Sequence, residues 1–364
     1  MIQACIYLTA FVVVLSIIVL VHEGGHFFVA RCCGVQVEEF SIGFGKTLFS
    51  RKDKKGTLWK IGVIPLGGYV KMLGDGDAAS MTQKDTKIPA SERKKMFLSK
   101  PRWQRALIIA AGPGMNYFFA WIVLAGMLLC IGEAIVPPVV GEVMPGLPAE
   151  RAGIVSGDRI LTMNQKGVES YRDILRFVLA QEKGQPLAIQ VQREGKIEDI
   201  IIPKLEEVEG TPMLGIKSSP KVEIGQKKFS LLAALGRSGQ IIGQTTWDMV
   251  VYLKQMILHK RSAKEMRGPL GIAEASGDAL LGGGLTLLLF IVNISIAVGF
   301  MNLLPIPLLD GGHLAMYLVE GLTGRSVSVR LQTVLVWVGC AVLGGLLVFT
   351  LVLDIPRIVQ RIFG

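Results

Sequence analysis

Residues 4–30 read ACIYLTAFVVVLSIIVLVHEGGHFFVA, and their only charged or imidazole side chains are His22, Glu23 and His26. Everything else in the stretch suits lipid. It predicts a membrane-crossing helix, which needs roughly 20 apolar residues at 1.5 Å per residue. On that helix His22 and His26, four apart, project from one face about one turn from each other, so both imidazoles can reach one cation. Glu23 then sits beside the cation rather than on it. His-Glu-x-x-His on a helix is the spacing at which two imidazoles bind zinc and a glutamate takes a proton from water. An intramembrane charge is costly and marks a functional site with a partner. A lone histidine is explained by a bond to a neighbouring carbonyl, but this pair with its glutamate is not.

The rest of the composition agrees. The chain has 364 residues, 51% of them hydrophobic, and a mean hydropathy of +0.48, enough for several spans plus one or two modest soluble parts. Further spans are expected at about 106–132, 285–304 and 331–353, the first two of these uncharged throughout. The N-terminus, Met1-Ile2-Gln3, lacks the basic residues of a secretory signal, so the first span is read as retained. Residues 31–105 hold 16 Lys/Arg against 7 Asp/Glu, whereas 137–280 hold 19 against 17. The basic loop is therefore expected on the cytoplasmic side, with both termini and the 137–280 segment opposite. A pI near 9.4 is accounted for by juxtamembrane Lys/Arg facing anionic headgroups, and no nucleic-acid partner is implied. The five cysteines are too few and too scattered for a disulfide scaffold, so any metal site must use His, Asp or Glu.

Beyond the first span, residues 35–71 change period. Thr47–Ser50 and Thr57–Ile61 alternate about the basic turn Arg51–Gly56, which reads as a β-hairpin. The strand around Thr57–Val63 is expected to offer an edge to an extended peptide, the alternative being a cytosolic loop without substrate contact. Residues 78–100 read as a surface linker. Ala111-Gly112-Pro113-Gly114-Met115-Asn116 opens the second span, where small residues permit close packing and Asn116 needs a partner within the bundle.

Residues 137–220 form a soluble module, with a helix expected at Tyr171–Ala180 and a strand at Leu187–Arg193 turning at Glu194-Gly195. Its spacing, including Gly146–Ile154 and Ser156–Ile160, resembles a bacterial PDZ domain, which can hold a peptide or act as a filter. Residues 229–259 read as an amphipathic surface helix, or a pair of them, with His259 facing headgroups beside Lys260-Arg261. The third span ends Asn302-Leu303-Leu304-Pro305-Ile306-Pro307-Leu308-Leu309-Asp310-Gly311-Gly312-His313. Its prolines interrupt the helix, and Gly-Gly permits a sharp turn after a carboxylate. Asp310 is a candidate third ligand, His313 its competitor, and Asp310 can also cap a helix over 311–320.

His22-Glu23-x-x-His26, Gly112-Pro113-x-x-Asn116, the PDZ module, Arg267–Ala273 and Asn302-x-x-Pro305-x-Pro307-x-Leu309-Asp310-Gly311 occur in that order. Together they resemble the site-2 protease family, specifically the bacterial regulator-of-sigma-E (RseP-type) zinc intramembrane protease, over nearly the whole chain. The resemblance implies Zn2+ held by His22, His26 and Asp310, with Glu23 as general base. Asn302, Ile61 and Asn116 are the candidate substrate-positioning residues. It also implies a membrane-reentrant hairpin and a place in the cell inner membrane. The implied substrates are pre-trimmed single-span proteins such as anti-sigma factors, and remnant signal peptides. Family members often carry two PDZ modules where one is readable here, and Gly24 stands where bulkier residues are usual.

The expected architecture is a polytopic α-helical membrane protein of about four transmembrane helices, with a membrane-associated β-hairpin and one α+β PDZ domain. Its parts are the first span (1–31), the cytoplasmic loop with the hairpin (32–100), the second span (101–136), the PDZ domain (137–220) and surface helices with a linker (221–280). The third span (281–313) and a loop, last span and tail (314–364) complete it. A zinc transporter would need further intramembrane ligands, and a PDZ scaffold would not need Glu23.

Overall fold

Where no water reaches the backbone, a chain can satisfy its N–H and C=O groups only from within, and a helix does so. The computed structural model describes residues 2–74, 92–182, 184–208, 211–218, 225–258 and 267–363. It begins with α1 (Ile2–Cys32), strands β1 (Val37–Lys52) and β2 (Leu58–Met72), and α2 (Arg102–Cys130). Short elements follow: β3 (Glu133–Ile135), β4 (Val140–Val143), α3 (Pro148–Arg151), β5 (Arg159–Met163), β6 (Lys166–Gly167), α4 (Tyr171–Ala180), β7 (Leu187–Arg193), β8 (Lys196–Ile202), β9 (Glu206–Val208), β10 (Thr211–Met213), β11 (Ile216–Ser218) and β12 (Gly225–Lys227). The chain then returns to helix with α5 (Leu231–Ile257), α6 (Pro269–Leu281), α7 (Gly284–Leu303), α8 (Asp310–Thr323) and α9 (Val329–Phe363).

Among the described residues, four helices are long and apolar enough to cross a membrane, over Cys5–Cys32, Arg102–Cys130, Gly284–Leu303 and Arg330–Pro356. They coincide with the expected spans, with two corrections at the ends. α2 starts at Arg102, so Gly112-Pro113 lies in the helix interior rather than at its beginning. α9 continues past residue 353 and takes in Asp354, which is only 1% exposed. The Asp354 carboxylate accepts the N–H groups of Gly268 (3.1 Å) and Gly271 (2.9 Å). A helix leaves such first-turn donors unpaired and draws negative charge to them. The Arg267–Ala273 motif is thus the start of α6, held from α9. α6 in turn packs on α1, where a Cβ on Gly277 would overlap the Tyr7 ring and Tyr7 donates to Asp278 Oδ1 at 2.9 Å.

The two strands after α1 form more than a hairpin. Phe40 pairs with both Val70 and Trp59, Ser41 with Tyr69 and Lys60, Ile42 with Gly68 and Ile61, while residues 47–52 pair with 58–62. Side by side the segments therefore run 68–72, 37–42, 58–62, 47–52. Gly43, Gly45 and Gly67, at φ +84, +82 and +123, supply the bends that fold each long strand back. This corrects the expected edge at Thr57–Val63: Ile61 is paired with Ile42 on one side and Phe49 on the other. Among the described residues the open edges belong to 68–72 and 47–52. Arg31, in the last turn of α1, ties the sheet to the helix by donating to Asp53 (2.5 Å) and Thr57 (2.8 Å). Phe27, Phe40 and Trp59 pack edge-on or tilted beneath that contact.

α5 is a single helix and is not among the four span candidates, as its amphipathic pattern implied. His259 and most of residues 78–100 lie outside the described residues. The module of short elements builds the sheet β6-β5-β7-β8, with paired strands β4·β11, β9·β10 and β3·β12. β7 alternates strictly, burying Leu187, Ile189 and Val191. α4 is opened by a Ser170/Asp173 capping box and buries Ile174 and Val178, one turn apart. Both elements have the bounds expected from sequence.

The same module contains a buried carboxylate. Asp158, 0% exposed, accepts from Arg193 Nε (2.8 Å) and Nη2 (2.7 Å) and from the Val155 N–H (2.9 Å). Burial alone raises its pKa, but Arg193 and the Val155 amide more than reverse this and hold it below the ordinary carboxylate range. The unfolded chain then takes up the proton first. The stabilisation is full above about pH 4, the unfolded value, and is lost as pH falls through the folded one. Hydrogen exchange of the β5 and β7 amides between about pH 6 and pH 3 should find Asp158→Asn less protected at the upper end and less acid-sensitive than wild type. Parallel profiles would contradict this account of the pair.

Candidate metal centre

His22 and His26 face α2 at a point where the two helices touch backbone to backbone. A Cβ on Gly25 would fall 2.2 Å from the Ala111 carbonyl oxygen, and one on Gly112 would fall 2.2 Å from His26 Nε2 and 2.9 Å from His22 Nε2. Only glycine lets the imidazoles lie against α2. The third group arrives from another turn of chain. α7 ends at Leu303, ahead of Pro305, and the loop closes with Ile306 N–H on the Leu304 carbonyl (2.7 Å) and Leu308 at φ +79. Side chains at Gly311 or Gly312 would strike the carbonyls of Leu303, Leu304 and Ile306. This glycine pair lets the loop fold back and bring Asp310 to the histidines.

Asp310 is the first residue of α8, and Leu309 is its N-cap, with no side-chain capping bond. Asp310 is therefore not the N-cap of this helix, as the capping alternative would have it. Asp310 Oδ2 lies 3.1 Å from His22 Nε2 and 3.6 Å from His26 Nε2, and the two Nε2 atoms are 3.3 Å apart. Donors at the corners of a tetrahedron with bonds of about 2.0 Å stand about 3.3 Å apart, so the three atoms have the spacing of three zinc ligands with a fourth position open. Among the described residues, buried Asp310 Oδ2 has no hydrogen-bond partner apart from the two imidazole nitrogens that face it. An orphaned carboxylate oxygen between two imidazole nitrogens fits a cation and little else.

The outer contacts are also in place. His26 Nδ1 meets the Ile108 carbonyl at 2.9 Å, and since a carbonyl only accepts, Nδ1 carries the hydrogen and Nε2 keeps its lone pair. His22 Nδ1 meets the Asn116 amide, with Nδ2 at 3.1 Å. Among the described residues the cluster that could hold a metal ion is His22, His26 and Asp310, without His313. Glu23 is beside it and not in it: an added Cβ on Gly68 would lie 3.1 Å from Glu23 Cγ, so the 68–72 strand passes directly over the glutamate. Asn302 donates to the Val298 carbonyl of its own helix at 3.0 Å. Ile61 stands half exposed on an inner strand. Asn116, 0% exposed, is placed behind His22. The Ile108 carbonyl escaped sequence reading, as any backbone group does, although Gly-Gly in one apolar helix and Gly-Pro-Gly in the next signal a close approach.

Residues 10–346 match peptidase family M50. The chain belongs to this family, the site-2 proteases. It is 38% identical to a Rickettsia conorii protein provisionally named a zinc metalloprotease, over 97% of this chain and 98% of that one. It is 35% identical to metalloprotease MmpA of Caulobacter vibrioides, over 98% and 97%. Among solved structures, the PDZ domain of an SdrC-like protein from Listeria monocytogenes is 23% identical, covering 24% of this chain and 90% of that one, with a TM-score of 0.21. So loose a superposition adds no weight to the PDZ reading, which stands on the module's own strands and helix.

The two glycines of this site-2 protease's motif differ in surroundings. Nothing lies within 4 Å of a Cβ on Gly24, whereas one on Gly25 collides with α2. Gly24→Ala should therefore keep its zinc and gain up to about 1 kcal/mol from helix propensity. Gly25→Ala should lose both zinc and stability by forcing α1 from α2. Zinc content and thermal melts of the two variants check this, and identical behaviour would contradict the close-approach account.

Proposed function

We propose that this chain cuts peptide bonds inside the membrane, in the apolar segments of single-span proteins already trimmed outside it, such as anti-sigma factors, and in remnant signal peptides. Membership of the family makes it a zinc metalloprotease. The observation that carries the intramembrane reading is where the ligands lie. His22 and Glu23 belong to a helix apolar enough to cross a membrane, about 15 Å from the end that leads into the basic loop. That supports an active site within the bilayer of the inner membrane, toward the cytoplasmic face. The PDZ module and both termini are then periplasmic, on the positive-inside argument.

His22, His26 and Asp310 would hold the metal, and zinc when bound supplies a Lewis acid that makes water nucleophilic near neutral pH and polarises a carbonyl. Glu23 accepts the proton from the attacking water and delivers it to the leaving amine. The substrate helix must first open, because its carbonyls are bonded to amides four residues on. An open strand edge offers replacement partners. Of the two open edges, 68–72 is the one that passes Glu23. Phe44, Leu48, Phe49, Ile61, Val63 and Ile64 leave one end of this sheet apolar and exposed, while Arg51, Lys52, Lys54 and Lys55 make the other end basic. That asymmetry supports a sheet dipped into the membrane by its apolar end, with the basic end at the headgroups.

Glu23→Gln should retain about one zinc per chain, because every ligand remains, while cleavage of a single-span substrate in vesicles falls by about 10²- to 10⁴-fold. Cleavage at the wild-type rate would exclude Glu23 as the base. Cutting confined to soluble peptides would exclude the intramembrane reading.

A further inference from the structure

Three α2 residues, spaced four apart, face the histidines of α1. They are Ile108, whose carbonyl takes the His26 Nδ1 hydrogen, Gly112, which has no side chain to obstruct either ring, and Asn116, whose amide meets His22 Nδ1. Spacing of four places all three on one helix face. The site thus has an outer row that mirrors its inner pair. At His26 the row is a carbonyl, which settles the tautomer. At His22 it is an amide, which can face the ring with either end.

The amide end nearest His22 Nδ1 is Nδ2, and among the described residues Asn116 Oδ1 is buried without a partner. His22 Nε2 points at Asp310 Oδ2, 3.1 Å away, on the side where the three ligand atoms converge. For Nε2 to present a lone pair there, the ring hydrogen must sit on Nδ1, and Nδ1–H then needs an acceptor. Turning the amide end for end occupies the same space and brings Oδ1 to that position. The backbone it turns on is fixed, since Ser295 of α7 donates to the Asn116 carbonyl at 3.0 Å. We infer that Asn116 is a positioning residue that holds His22 in the Nδ1-protonated form and so sets the strength of metal binding, rather than a residue that contacts substrate. An apolar residue in its place would leave Nδ1–H buried without an acceptor.

This inference rests on the proposed ligand set, and its test separates the two. Zinc affinity of the full chain in detergent is measured by competition with a chromogenic chelator for wild type, Asn116→Leu and Asn116→Asp. Loss of the outer partner of a ligating histidine should weaken zinc about 10- to 100-fold in Asn116→Leu. Asn116→Asp keeps an acceptor and should bind within a few-fold of wild type. Wild-type affinity in Asn116→Leu overturns the inference, as does an equal loss in both variants with the fold intact, which marks a packing role. If the leucine variant does not fold, Asn116→Ser takes its place. Asn116→Asp should then bind zinc more tightly than Asn116→Ser, and the reverse order overturns the inference. A wild-type chain that takes up no zinc overturns the ligand set itself, and the inference with it.

Discussion

The approach of α1 to α2 at Gly25 and Gly112 is the constraint on which the site depends. At these two positions a single added carbon would sit 2.2 Å from a carbonyl oxygen or a ligand nitrogen. Without hydrocarbon-to-water transfer to drive association inside a bilayer, small residues that let backbones meet are the main source of helix packing. The same contact that joins the helices lays both imidazoles on a polar strip of α2. Asp310 depends on the equivalent device at Gly311-Gly312, where glycine lets the loop after α7 fold back on itself. The metal centre is thus built by removing side chains as much as by adding ligands.

From the centre outward, each attachment uses a different interaction. Arg31 continues α1 into the sheet through Asp53 and Thr57. Asp354 ties α9 to the first turn of α6, and Tyr7 ties α6 back to the beginning of α1. Buried carboxylates and hydroxyls are expensive in such surroundings unless every lone pair has a donor. Thr57 and Asp354, the buried ones here, each have at least one, so these contacts fix helix positions that lipid-facing packing would leave loosely specified.

Much of this was legible in the sequence, for physical reasons. The four spans follow from uninterrupted apolarity, and His22, Glu23 and His26 stand out because nothing else polar surrounds them. α4 and β7 follow from their 3.6- and 2-residue periods, since one face of each is wet. What was illegible is equally specific. Alternation distinguishes the two faces of a strand but not an inner strand from an edge, so the double pairing of Ile61 could not be read. The expected last span stopped at residue 353, one short of Asp354, because its carboxylate accepts from backbone groups 83 and 86 residues away that no local pattern reveals. Asp310 was preferred to His313 through the family resemblance, and the loop geometry shows how its carboxylate reaches the histidines, whereas the place of Asn116 behind His22 needed α2 laid against α1.

The central claim is that two imidazoles of α1 and the Asp310 carboxylate at the start of α8 hold the catalytic zinc. Zinc K-edge X-ray absorption on the loaded full-length chain addresses it most directly. The account predicts a four-coordinate shell of nitrogen and oxygen at about 2.0–2.1 Å with the multiple scattering of two imidazoles, and a weaker site that keeps those two imidazoles in Asp310→Ala. A third imidazole, or a sulfur scatterer at about 2.3 Å, would contradict it.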